Sequence, residues 1–369
     1  MKNKTIFYYS FLALPLAFIG LPIYVYLQKI YNEEYGLPLA LIGTIILITR
    51  LIDFVLDPYI GIVLDRFNLK KIYRKKIIYI TLPLLATSFN FLIFPPFSPA
   101  YSLFIFSLTT YLLYTVVIIN YYAISVELTN NYELQNKISG AREAMGVVGM
   151  LFATVFPTIL LQKYDFATAY NLIFFLLIAM LFAAGILMHF VKSKRIFTFH
   201  SEINYKSLWK IFKAKNNGRF LLVLLLNAIS TALPATIALF YIEYVIGAPE
   251  MSGYFLLTYF LCGIISIPFW IKYSNANGKK NAWLISMCLS ILFFISAFFL
   301  GKGDIAEFFV VCVITGFCLG ADLCLPPSIF ADNVDQAEKS GSYFALWNLV
   351  NKAALALGAF LALGILGFY

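Results

Sequence analysis

Long apolar stretches recur along nearly the whole chain, at 6–29, 39–64, 77–96, 100–124, 143–162, 168–191, 219–246, 252–272, 281–301, 305–328 and 341–367. Each approaches the roughly 20 residues an α-helix needs to cross a hydrocarbon core. A helix also satisfies its own backbone N–H and C=O groups where no water is available. We therefore expect an all-α polytopic membrane protein with about 11 transmembrane helices. Composition agrees: 62% of residues are apolar and 12% charged, against roughly 45–50% and 25% in soluble domains. The first stretch follows Lys2 and Lys4 without a small-residue cleavage site, so it reads as a span and not a removable leader.

The net charge of +9 raises the question of nucleic acid, but its placement answers for topology. Basic residues gather in alternate connections: Lys2 and Lys4, the run from Arg66 to Lys76, Lys137 and Arg142, and a dense group between Lys192 and Arg219. Lys272, Lys279, Lys280 and Lys339 continue the alternation, while the other side holds only Lys29, Lys163 and Lys302. Cytoplasmic loops carry such an excess, so we expect a cytoplasmic amino terminus, a bacterial inner membrane, lipid as surroundings, and no nucleic-acid partner. The polar stretch 193–217 divides the chain. The expected parts are an N-terminal six-helix bundle over 1–192, a cytoplasmic connecting loop over 193–217, and a C-terminal bundle of about five helices over 218–369. Two such halves point to an internal repeat, with DRFNLKKIYRKK and NANGKK at equivalent places. The five cysteines all lie in apolar segments without a CxxC pair and read as packing residues.

Ionisable groups inside a span are costly and mark function. The second stretch carries Arg50, Asp53 and Asp57, followed by Pro58 and Gly61. Spacings of three and four put Arg50, Asp53, Asp57 and Gly61 on one helical stripe. Two carboxylates one turn apart form an oxygen site for a small cation or a proton, and a neighbouring arginine favours their ionised form. A purely structural ion cluster is the plainer alternative. Lys352, with Asn348 and Asn351 beside it, sits in mid-stretch and needs a partner such as Asp53, Asp57 or Asp322. Asp322 lies in GADLCLPP, where Gly316, Gly320 and the Pro326-Pro327 pair are expected to loosen the helix. Tyr24 and Gln28 on the first stretch, and Asn120, Tyr121 and Tyr122 on the fourth, are candidates for lining a solute cavity. Asp332 and Asp335 fall at a cytoplasmic end, where ion pairs that open and close are expected.

With these residues in view, RLIDFVLDPYIGIVLDR resembles the second-helix signature of the glycoside–pentoside–hexuronide:cation symporters, relatives of the melibiose carrier in the major facilitator superfamily. VELTNNYELQNKISGAR resembles that family's fourth-to-fifth loop, IPFWIKYSNANGKKNAW its eighth-to-ninth, and ADNVDQAEKSGSYFALWNLVNKAALALG its tenth-to-eleventh connection and eleventh helix. The resemblance implies a major-facilitator-type two-bundle fold that couples inward flow of Na⁺ or H⁺ to uptake of a small, sugar-like solute by alternating access. It implies Asp53 and Asp57 as cation-site acids and Arg50 and Lys352 as charge partners, to which the residues themselves add Asp322 as a candidate. Asp65, Arg66, Arg142, Asp332 and Asp335 fall to the cytoplasmic gate. No cofactor beyond the coupling ion, and a monomer, are expected. The chain departs from the melibiose carrier in having no acid in LPLAFIGLP or around TVVIINYY, which favours H⁺ over Na⁺. The family has twelve helices, so a carrier lacking its last peripheral helix is expected here.

Two other classes fit parts of the pattern. An intramembrane prenyltransferase would use Asp53, Asp57 and Asp65 with Asp332 and Asp335 to hold Mg²⁺ and a diphosphate. A transport-inactive remnant or scaffold would use none of the charges. No nucleotide-binding glycine loop, catalytic triad or zinc spacing is visible.

Overall fold

The computed structural model describes residues 3–25, 27–69, 74–129, 131–161, 163–191, 217–248, 251–332 and 340–366. Among these the chain is helical: α1 (Asn3–Ser10), α2 (Ala13–Val25), α3 (Leu27–Glu33), α4 (Leu39–Leu69), α5 (Arg74–Ile93), α6 (Pro99–Leu128), α7 (Tyr132–Leu161) and α8 (Phe166–His189). Then follow α9 (Asn217–Tyr241) with a π turn at Ile242–Ile246, α10 (Ser252–Asn277), α11 (Lys279–Ala297), α12 (Ile305–Asp332) and α13 (Ser340–Leu366). Every expected apolar stretch holds helix. Eight of the described helices are long and apolar enough to cross a membrane by length and composition.

The ends follow local chemistry. Pro99 opens α6 at a position where no N–H is needed. Asp165 caps α8 by accepting from the Thr168 N–H at 3.2 Å. The π turn closes at Gly247 and α10 at Gly278, both with positive φ (72° and 85°) that glycine adopts without strain. The first stretch is broken where one helix was expected. Pro15 has no N–H to offer the Phe11 carbonyl, which instead receives Leu14 N–H at 3.1 Å, and α1 stops there. Several helices run beyond their apolar stretch. Arg74 and Lys279, read as loop residues, are the first residues of α5 and α11, and Arg142 lies within α7.

The chain forms two compact units. The first comprises Met1–Thr129, Met145–Ile211 and Val334–Leu349, the second Asn130–Ala144, Phe212–Asn333 and Val350–Tyr369. Of the expected connection at 193–217, only Asn217 lies among the described residues. In the first unit α6 packs against both α4 and α5; in the second, α12 packs against both α10 and α11. The same three-helix arrangement thus recurs at equivalent places in the sequence. Gly316 and Gly320 have a different part from the one expected. A Cβ at Gly316 would strike the Tyr259 carbonyl, and one at Gly320 the Ser266 hydroxyl, so these glycines bring α12 close to α10. Large apolar side chains stand fully outward, as with Phe298 at 86% and Ile265 at 73%, which suits a surface solvated by lipid.

Candidate functional site

The α4 stripe is buried in the first unit. Asp53 is 3% exposed and Asp57 and Asp65 are 0%. Thr49 on the same face turns its hydroxyl back to the Ile45 and Ile46 carbonyls at 3.0 Å. Asp53 accepts from the Thr115 hydroxyl on α6 at 3.3 Å. Asp57 accepts from the Asn348 side-chain amide on α13 at 3.0 Å. Two expected site residues, Asp57 and Asn348, are therefore brought together from opposite ends of the sequence. Arg50 is half-buried one turn before Asp53. Burying two carboxylates a single turn apart is unfavourable in the charged state unless a cation or proton joins them. The oxygens of Asp53, Asp57 and Thr115 are of the hard type that suits a small cation.

The third acid of the stripe has a different use. Arg74 at the start of α5 donates to Asp65 at 2.8 Å, to Glu127 at 2.8 Å and to Asn120 at 3.4 Å. Arg74 is 2% exposed, so its planar fork is satisfied by protein. Asn120, read as a cavity residue, also donates to the Val116 carbonyl at 2.8 Å and belongs to this ion cluster. Tyr121 is exchanged with α1: its hydroxyl donates to the Tyr9 carbonyl at 3.0 Å, and Tyr9 returns a bond to the Tyr121 carbonyl at 2.8 Å. Tyr122 is half-buried and meets Phe344 edge-on at 5.6 Å. The side chains of Tyr24, Gln28 and Arg66, and Asp335 altogether, lie outside the described residues.

The second unit holds the remaining charges. Arg142, 1% exposed, pairs with Glu143 at 2.8 Å. Lys279 at the start of α11 pairs with Asp332 at 2.5 Å. Asp322 accepts from Trp283 Nε1 at 2.6 Å and Asn227 Nδ2 at 3.3 Å. Asn351 and Lys352 are half-buried on α13, and Lys352 falls one turn after Asn348 on the same stripe. The residues not singled out from sequence are Thr115, Arg74, Trp283, Asn227 and Lys279. Only the two cations carried a signal, as charges at the edge of an apolar run.

A sequence model of the family described as MFS/sugar transport protein matches residues 8–369. The chain belongs to this family. It is 24% identical to the uncharacterized symporter YjmB of Bacillus subtilis (strain 168), over 93% of this chain and 79% of the relative. It is 23% identical to the glucuronide carrier protein homolog of Escherichia coli (strain K12), again over 93% and 79%. The fold is similar to that of a bacterial homologue of the iron transporter ferroportin in its outward-facing state, with a TM-score of 0.74 at 14% identity, over 96% of this chain and 91% of that chain.

As an MFS/sugar transport protein, of the glycoside–pentoside–hexuronide symporter type, the chain is a multi-pass membrane protein and a secondary active symporter of sugar-like solutes. It is not an enzyme. The diphosphate–Mg²⁺ alternative has no support: Asp65 is taken by Arg74 and Asp332 by Lys279.

Proposed function

We propose that this transporter couples uptake of a sugar-like solute to a monovalent cation, Na⁺ or H⁺, held by Asp53 and Asp57 with Thr115 as a third oxygen. The observation that carries the reading is the pair of buried carboxylates one turn apart on α4, each touched by a neutral donor from another helix. Arg50, one turn before Asp53, is the cation that balances the site when it is empty, and Asn348 ties Asp57 to α13; Lys352, one turn after Asn348, is the second charge partner of this reading. Asn351 and Tyr122, both half-buried, are the described candidates for touching solute.

The amino terminus is cytoplasmic in this reading, because the basic runs preceding α5 and α11 are kept on that side. Arg74 with Asp65 and Glu127, Lys279 with Asp332, and Arg142 with Glu143 are then ion pairs at the cytoplasmic side, each within its own unit, and Asp65, Arg142 and Asp332 are the gate residues of this reading. The six-helix and five-helix division at 193–217, and a monomeric carrier, complete the proposal.

Uptake into vesicles over a panel of glycosides and hexuronides, with imposed Na⁺ and pH gradients, tests it. A gradient of one of the two ions drives accumulation, and Asp53→Asn or Asp57→Asn abolishes that coupling. Gradient-driven accumulation surviving both substitutions overturns the site.

A further inference from the structure

Asp322 stands well inside α12 and belongs to none of the ion pairs among the described residues. Its Oδ1 accepts both hydrogen bonds, from Trp283 Nε1 on α11 at 2.6 Å and from Asn227 Nδ2 on α9 at 3.3 Å. Both donors are neutral. Four other helix acids differ: Asp65 and Glu127 share Arg74, Glu143 sits on Arg142, and Asp332 on Lys279. A carboxylate on a cation is held ionised. A carboxylate held only by neutral N–H groups in an apolar setting is free to take a proton.

The geometry serves both states. When ionised, Oδ1 accepts both N–H bonds. When neutral, Oδ1 is the carbonyl oxygen and still accepts both, while Oδ2 carries the proton. Nothing need rearrange between them. Trp283 is 4% exposed and packs against Phe220 at a ring distance of 6.0 Å, so the indole N–H is fixed in place. Asp322 itself is half-buried. The titratable groups near it are Tyr259 on α10 and Cys318 and Cys324 on α12, all neutral in their ordinary form. Lys279 on α11 is engaged by Asp332.

We propose that Asp322, held by Trp283 and Asn227, is a proton-binding site of the second unit, additional to the carboxylates of α4. It stands on the second unit alone and does not depend on the cation reading of Asp53 and Asp57.

The test uses the purified full chain in lipid nanodiscs at fixed Na⁺, without solute. Infrared difference spectra over a pH series follow the C=O stretch of a protonated carboxylic acid. The parent protein gives a titrating band that is absent in Asp322→Asn and retained in the Asp53→Asn/Asp57→Asn double variant. Trp283→Phe removes the shorter hydrogen bond and raises the midpoint by about one pH unit, the excess of a hydrogen bond to the charged acceptor over the same bond to the neutral one. An unchanged band in Asp322→Asn, or an unmoved midpoint in Trp283→Phe, overturns the site. Should Asp322→Asn not fold, Asn227→Ala supplies the second measurement: it has to displace the same midpoint, and one that stays in place overturns the site as well.

Discussion

Arg74 and Lys279 each reach an acid 53 residues further along the chain, Glu127 at 2.8 Å and Asp332 at 2.5 Å. Both cations open a helix that packs on the one bearing the acid, so the pairs are equivalent members of an internal repeat. They are not equal in energy. Arg74 is sealed and also holds Asp65, whereas the Asp332 side chain is 32% exposed. Removing one partner of a sealed cluster leaves uncompensated charge and costs about 3–5 kcal/mol. A partly solvated pair contributes about 1 kcal/mol or less. Arg74→Ala should therefore lower thermal stability in detergent far more than Lys279→Ala, and Arg74→Lys should recover only part, since an ammonium lacks the fork that spans two carboxylates. Equal losses in the two units would contradict this account.

Thr115 is predicted to matter through its hydroxyl alone. Thr115→Val keeps the shape and removes the oxygen that donates to Asp53. A hydrogen bond to a charged group is worth about 1.5 kcal/mol, close to a tenfold change in affinity. The cation concentration giving half-maximal gradient-driven uptake should rise about tenfold in Thr115→Val and stay near the parent value in Thr115→Ser. Superimposable activation curves for the parent and Thr115→Val would remove this residue from the site.

What could be read from the sequence depended on whether a residue stood out from its surroundings. Helices were legible because apolar runs of spanning length have one solution in lipid. Asp53 and Asp57 were legible because charges inside such runs are conspicuous. Thr115 was not, because a hydroxyl in a helix is usually satisfied by the preceding turn, as Thr49 is by Ile45 and Ile46. Arg74 was hidden differently: the apolar run begins at Ile77, and a basic residue just before it reads as a topology signal. Trp283 carries no signal of its own, because an indole in an apolar run is ordinary in a membrane protein and its bond to Asp322 is a tertiary contact. Asn348 was picked out as a polar residue in an apolar run, but its bond to Asp57 across 291 residues is a tertiary fact that no local pattern contains.

The glycines of α12 give a packing test. A Cβ at Gly320 would meet the Ser266 hydroxyl and lie 2.6 Å from the Gly263 carbonyl oxygen, so the α10–α12 contact must open to admit it. Overpacking of this kind costs about 1–3 kcal/mol. Gly320→Ala should lower the midpoint of thermal unfolding, and adding Ser266→Ala should restore only part, because the Gly263 backbone remains in the way. Gly253→Ala, on the same α10 but with open space around it, serves as the control and should be neutral or mildly stabilising. A Gly320→Ala protein as stable as the Gly253→Ala one would mean the two helices are not in close contact there.

Asp165 supplies a pH test outside the spans. It is fully exposed in the short turn before α8, and hydrogen bonds from the Thr168 hydroxyl and then the Thr168 N–H hold its carboxyl below the ordinary carboxylate range. The folded state thus binds this proton less readily than the unfolded chain. The cap's contribution is fully present above the ordinary aspartate value of about 3.9 and is lost as pH falls through the lower folded value. Asp165→Ala should make the protein less stable at neutral pH, and the gap between parent and variant should close on acidification below that range. Asp165→Asn retains an oxygen acceptor, so it should keep part of the stabilisation and lose the pH dependence. Thermal unfolding of the three proteins across an acid series reads both effects. A gap between parent and Asp165→Ala that stays constant down to the lowest pH at which the chain remains folded would show that the charge on this cap contributes nothing.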